Sequence, residues 1–199
     1  METIKNICKE SCGLLRVTAV AMSIFLACSG QAFAQDEELY GAPLPDDAAF
    51  VRALGAHESV AVDAFGVTLT NEGDYTVILA GSTDGIETDQ YITILPAATV
   101  LHPAHEDAAK VQVGFFNVGY EADLALKTAD GKVTIAEAAL NSAGFREVNP
   151  IVVPVAVFDG DKMLGESIEL KLRRGENPTI FAQQDGTVTT IVSKIIWDE

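Results

Sequence analysis

Acyl transfer or ester hydrolysis needs a nucleophile, a base within hydrogen-bond reach and donors for an oxyanion. This 199-residue chain has few residues for that work. Its three histidines are His57, His102 and His105, and its three cysteines, Cys8, Cys12 and Cys28, all lie before residue 35. Beyond that point any nucleophile must be a serine or threonine. No Gly-x-Ser-x-Gly elbow occurs, and no Asp stands three residues before a His. The reading is a protein with no catalytic residues and no cofactor.

"HPAHED" places His102 and His105 beside Glu106 and Asp107, residue types that ligate metals. A segment broken by Pro103 would not fix ligand geometry, and no second cluster completes a shell. The expectation is a polar linker with solvated imidazoles, and no metal. Four Asp-Gly pairs (84–85, 130–131, 159–160, 185–186) invite a calcium reading. "FDGDKMLGE" supplies Asp159, Asp161 and Glu166, too few and wrongly spaced for such a loop. Asp-Gly suits tight turns, because Gly takes positive φ without a Cβ clash, so all four read as hairpin corners.

The elements between those corners are strands. In "SIELKLRR", Ile168, Leu170 and Leu172 alternate with Glu169, Lys171 and Arg173, the period-two pattern of a half-buried antiparallel strand. "DYTVILA", "QYITIL", "KVQVGFF", "IVVPVAVF" and "TVTTIVSKIIW" are rich in β-branched and aromatic residues. Pro154 must lie at an edge or a bulge. Of Phe115 and Phe116, one enters a core and the other is either covered by a neighbouring domain or exposed as a sugar platform. A helical turn is arguable only at 135–140, and Trp197 reads as a packing plug. The predicted class is all-β: two small antiparallel β-sandwich-like domains, 35–107 and 108–199, joined at "LHPAHEDAAK" (101–110).

Residues 1–34 read as a signal peptide. Lys5, Lys9 and Arg16 precede an apolar run, and Ala32 and Ala34 occupy the small positions of a cleavage site. Lipidation at Cys28 is the alternative, made weaker by Phe25 three residues before it. The expected location is the periplasm. Beyond residue 34 there are 10 basic and 27 acidic residues. Arg52 is the one basic residue of 35–109, against 14 acids, whereas 110–199 carries 9 basic and 13 acidic residues. Such a balance excludes nucleic acid as a partner. The densest cationic spot, Lys171, Arg173 and Arg174, could meet an acidic polysaccharide or an acidic protein.

Several segments resemble one family in order and spacing. They are "LYG" (39–41), "AFVRALGA" (49–56), "LALKTADGK" (124–132), "REVNP" (146–150), "VAVFDGDK" (155–162) and "LKLRRGE" (170–176). Together they resemble AlgF, periplasmic alginate biosynthesis proteins required for alginate O-acetylation. The resemblance implies a non-catalytic accessory protein, an adaptor for periplasmic SGNH-type acetyltransferases and a membrane-bound O-acyltransferase. It carries over Arg52, Arg146, Asn149 and Arg174 as polar motif positions. With Lys171 and Arg173, these are the candidate contacts to a partner or polysaccharide. A polyuronate-binding module is the alternative, and an acetyl-transferring or esterase enzyme is a further one.

Overall fold

"AAFVRA" is apolar at five of six positions, so both faces of a strand there must be covered. Strand β1 (Ala48–Ala53) is buried along its whole length. It lies at the centre of a five-stranded sheet, antiparallel to β4 (Tyr75–Leu79) and parallel to β5 (Tyr91–Leu95). β6 (Ala98–Leu101) closes one edge of that sheet, and β15 (Ile195–Ile196) runs parallel to β4 at the other. β2 (Val60–Val62) and β3 (Val67–Leu69) form a separate hairpin.

The computed structural model describes residues 43–55, 60–62, 65–69, 73–82, 84–107, 109–174 and 176–196. Over them the chain is all-β, with one 3-10 turn at Ala80–Ser82. The signal segment, Cys28, "LYG", His57 and Trp197 lie outside the described residues.

The second group of strands forms a sandwich. One sheet has the order β10-β7-β13-β14, from β7 (Val111–Val118), β10 (Ser142–Val148), β13 (Pro178–Gln183) and β14 (Val188–Val192). The other has the order β12-β11-β8-β9, from β8 (Leu124–Thr128), β9 (Thr134–Ala138), β11 (Val152–Asp159) and β12 (Lys162–Lys171). Between them lies a core that includes Val113, Phe115, Leu126, Val157 and Ile180. The opposite face of the β7 sheet is apolar too. Phe116, Val118 and Phe181 pack there against Leu54 and Leu95 of the first sheet. Phe115 and Phe116 are therefore both fully buried, one in each core. Neither is a sugar platform.

Strand chemistry accounts for the corners. Gly131, Gly160 and Gly186 take positive φ in the turns joining β8–β9, β11–β12 and β13–β14. Gly160 and Asp161 form a two-residue loop with Gly first, as a II′ turn requires. Asp84-Gly85 departs from expectation: it is a turn, but β1 lies between β4 and β5, so the loop is a crossover and no hairpin corner. Pro154 sits next to a register shift between Val155 and Val157, just past the end of the β8 pairing. The arguable helical turn at 135–140 is instead β9 and the bend after it, where Asn141 takes φ 54°. β-Branched Val133, Thr134 and Ile135 favour the extended form.

Candidate functional site

Alternation along β1 sends Ala49, Val51 and Ala53 to one core and Phe50, Arg52 and Leu54 to the other face. Arg52 is thereby forced inside and is 1% exposed. Its Nε donates to Thr93 Oγ1 on β5 at 2.9 Å. Its Nη2 donates to Thr179 Oγ1 on β13 at 2.9 Å, and its Nη1 to Ser193 Oγ at 2.5 Å. The guanidinium also lies over the Tyr75 ring, 4.6 Å from its centroid, and 5.3 Å from that of Phe116. Among the described residues no carboxylate pairs with it. Burial shifts its pKa downward and drives the Tyr75 phenol up to about 12, with the nearby guanidinium acting the other way on the phenol. The sequence reading of Arg52 as a surface contact is corrected: a strand apolar on both faces leaves it no route to solvent.

His102 is corrected as well. It continues the alternation of Ala98 and Val100, and its N–H bonds to the Tyr91 carbonyl at 2.9 Å, so the imidazole turns inward. The ring packs 4.7 Å from Phe145 and 5.6 Å from Phe116, centroid to centroid. Its Nε2 is 2.7 Å from Thr93 Oγ1. Thr93 Oγ1 accepts from Arg52 on one lone pair and can meet Nε2 in either tautomer of the ring, as donor or as second acceptor. Burial, with the Arg52 charge second, lowers the His102 pKa to about 3.

These groups back onto a cleft of about 620 Å³ whose lining includes Tyr91, His102, Gln112, Asn177, Thr179 and Ser193. Glu87 and Asp89 stand on its lip. A histidine, a serine and carboxylates thus share one cleft, but they are not wired as a triad. His102 Nε2 is engaged by Thr93, and Ser193 Oγ accepts from Arg52. A base with a pKa near 3 would also be a feeble proton acceptor at neutral pH.

The connecting segment is held in place rather than loose. Glu147 Oε1 accepts the Glu106 and Asp107 amides at 2.7 and 3.2 Å, and His105 Nε2 lies 3.6 Å away. The two imidazoles of "HPAHED" therefore serve different partners. Among the described residues no group of three or more His, Cys, Asp or Glu is placed to hold a metal ion.

The remaining sequence candidates are on the surface, in two places. Arg146 and Asn149 line a groove of about 360 Å³ at the open end of the sandwich, with Lys110, Ile135 and Leu172. Arg146 donates to the Thr134 carbonyl at 2.6 Å. Ile151 and Val152 beside the groove are 50% and 62% exposed. Lys171 and Arg173 project from the opposite side of β12 to Leu170 and Leu172, and Arg174 follows them, all three exposed. Lys171 lies 3.6 Å from Glu169. The structure thus separates the six candidates into one buried residue, a groove pair and a surface cationic trio.

The model of the family described as "Alginate O-acetyl transferase AlgF" matches residues 19–179. The chain belongs to the AlgF family. A Pseudomonas putida relative named "Alginate biosynthesis protein AlgF" is 30% identical over 88% of this chain and 94% of its own. Its Pseudomonas syringae counterpart is 31% identical over 87% of each chain, and that of Pseudomonas aeruginosa 29% over 85% and 88%. Among solved structures, the C-terminal domain of AlgF from P. aeruginosa is 33% identical with a TM-score of 0.37, covering 42% of this chain and 94% of that one. The N-terminal AlgF domain is 14% identical with a TM-score of 0.33, covering 42% and 93%. Among the described residues no helix is long and apolar enough to cross a membrane.

Proposed function

We propose that this AlgF-family chain is a non-catalytic periplasmic accessory protein. It docks the acetyltransferase machinery that O-acetylates an exported acidic, alginate-like polysaccharide. The family match supports the alginate O-acetylation part of this reading: the family is described as "Alginate O-acetyl transferase AlgF", and the relatives are named alginate biosynthesis proteins. The occupied Nε2 of His102 and the absence of a Ser–His hydrogen bond among the described residues support an accessory role over a hydrolytic one. The partners are periplasmic SGNH-type acetyltransferases and a membrane-bound O-acyltransferase. The docking contacts are the groove with Arg146 and Asn149, next to exposed Ile151 and Val152, and the cationic face of Lys171, Arg173 and Arg174.

A tagged chain recovered from its host under gentle salt should bring SGNH-type acetyltransferases with it. Lys171→Glu with Arg173→Glu should weaken that recovery. Recovery of none of them would overturn the docking reading. Turnover of a chromogenic acetyl ester, lost in His102→Ala, would replace it with an enzyme.

A further inference from the structure

The cleft behind which Arg52 lies has an unusual floor. A buried guanidinium carries a full charge, and among the described residues its partners are neutral hydroxyls and aromatic rings. Each hydroxyl that accepts from it keeps one proton to donate. Thr93 Oγ1 is already engaged with His102 Nε2 at 2.7 Å. Thr179 and Ser193 have no acceptor for theirs among the described residues, and both line the cleft. Thr179 is 3% exposed, so its hydroxyl proton has little else to face. A buried hydroxyl without an acceptor is costly, and a positive charge behind it sharpens its donor strength. The two hydroxyls are bonded to the two terminal nitrogens of one guanidinium.

We propose that this cleft is a binding site for a small monocarboxylate, with one carboxylate oxygen received by Thr179 Oγ1–H and Ser193 Oγ–H. Arg52 supplies the charge from behind without touching the ligand. Gln112, whose Nε2 donates to the Pro103 carbonyl, and Asn177, whose Oδ1 accepts the Gln112 backbone amide, leave Oε1 and Nδ2 on the wall for a hydroxylated body, and Tyr91 offers a ring face. Glu87 and Asp89 on the lip oppose a chain of repeated carboxylates, so the site selects a single acid and rejects a polyanion. It is distinct from the exposed cationic face of β12 and does not depend on the docking role.

Salt dependence separates the two. A ligand held on exposed Lys171 and Arg173 is released by salt. A carboxylate over a buried charge, on a protein of net charge −16, must first cross an overall negative field. Added sodium chloride screens that repulsion more than it screens the buried contact, so binding holds or tightens.

The test is NMR titration of the full chain, following the Arg52 side-chain Nε–H and the Thr179 and Ser193 amides. Sodium acetate and sodium glucuronate are the probes, with sodium chloride and glucose as controls. The expected result is a saturable shift with each acid that survives added salt. It should weaken about tenfold or more in Ser193→Ala, the loss of one charge-assisted hydrogen bond. Thr179→Ser, which keeps the hydroxyl, should retain the shift. Shifts matched by sodium chloride, absence of saturation, or binding unchanged in Ser193→Ala would each overturn the proposal. Ser193 is only partly buried and outside the paired strands, so its alanine variant should fold, which circular dichroism would verify.

Discussion

Replacing Arg52 with Met tests whether a lone buried charge ties the two groups of strands together. The change keeps most of the stem volume and removes the guanidinium. Three charge-assisted hydrogen bonds are lost, to Thr93, Thr179 and Ser193. At about 1.5 kcal/mol each, the low end for bonds to charged groups, their gross loss is about 4–5 kcal/mol. Relief from burying a charge with no counter-ion returns part of this. The net expectation is a destabilisation of about 2–4 kcal/mol, which lowers Tm by roughly 5–15 °C for a chain of this size. Arg52→Ala should cost about 1–2 kcal/mol more, because it also opens a cavity beside Tyr75 and Phe116. Urea unfolding followed by circular dichroism gives both values. Combining Arg52→Met with Thr179→Val completes a double-mutant cycle across the junction between β1 and β13. A coupling of about 1 kcal/mol or more is expected, since both changes remove the same bond. If Arg52→Met unfolds within about 0.5 kcal/mol of the parent, or the cycle is additive, the clamp is not what holds the halves together.

Three further outcomes follow from the same geometry. His102 is held neutral, with its pKa at about 3 against roughly 6.5 in an unfolded chain. Below pH 6.5 the unfolded state therefore binds the extra proton, and stability should fall by up to about 1.4 kcal/mol per pH unit as pH drops toward 3. Above pH 6.5 the contribution is complete. Urea midpoints from pH 7 to 4.5 should show this slope in the parent and less of it in His102→Gln, and His102 ring signals should not titrate between pH 8 and 5. Gly144→Ala should destabilise by about 1–3 kcal/mol, because a Cβ there would overlap the Glu137 carbonyl oxygen where β10 passes β9. An unchanged melting curve would show that the strands can separate to admit it. Glu147→Gln should loosen segment 102–110, whose amides at 106 and 107 its carboxylate accepts. Faster amide exchange at those two positions is the readout, and unchanged exchange would count against the tether.

Much of the fold was legible because strand sequences alternate with the pleat. The period of two in 168–173 and the Gly positions at three hairpins follow from local chemistry, whereas the sequence left open whether the second of Phe115 and Phe116 is covered, because its cover, Leu54 and Leu95, comes from distant strands. The site was harder to read. "AAFVRAL" already implied a strand covered on both faces, and an Arg inside it had to be buried. Its acceptors, however, are 41, 127 and 141 residues away, and no local pattern pairs a guanidinium with distant hydroxyls. His102 was misread because Pro103 and the acids after it looked like a linker. The parity of Ala98, Val100 and His102 pointed inward all along.

β15, a two-residue strand at 195–196, adds itself to the edge of a sheet whose other strands all lie between residues 48 and 101. Synthesis runs from the N-terminus, so β4 must wait with a bare edge, and Arg52 without Ser193, until residues 193–196 have appeared. The early half cannot be finished early. Folding should be slow and all at once, as expected for pairings so far apart in sequence. Chains stalled before residue 193 should be the ones that clump or fall to proteases.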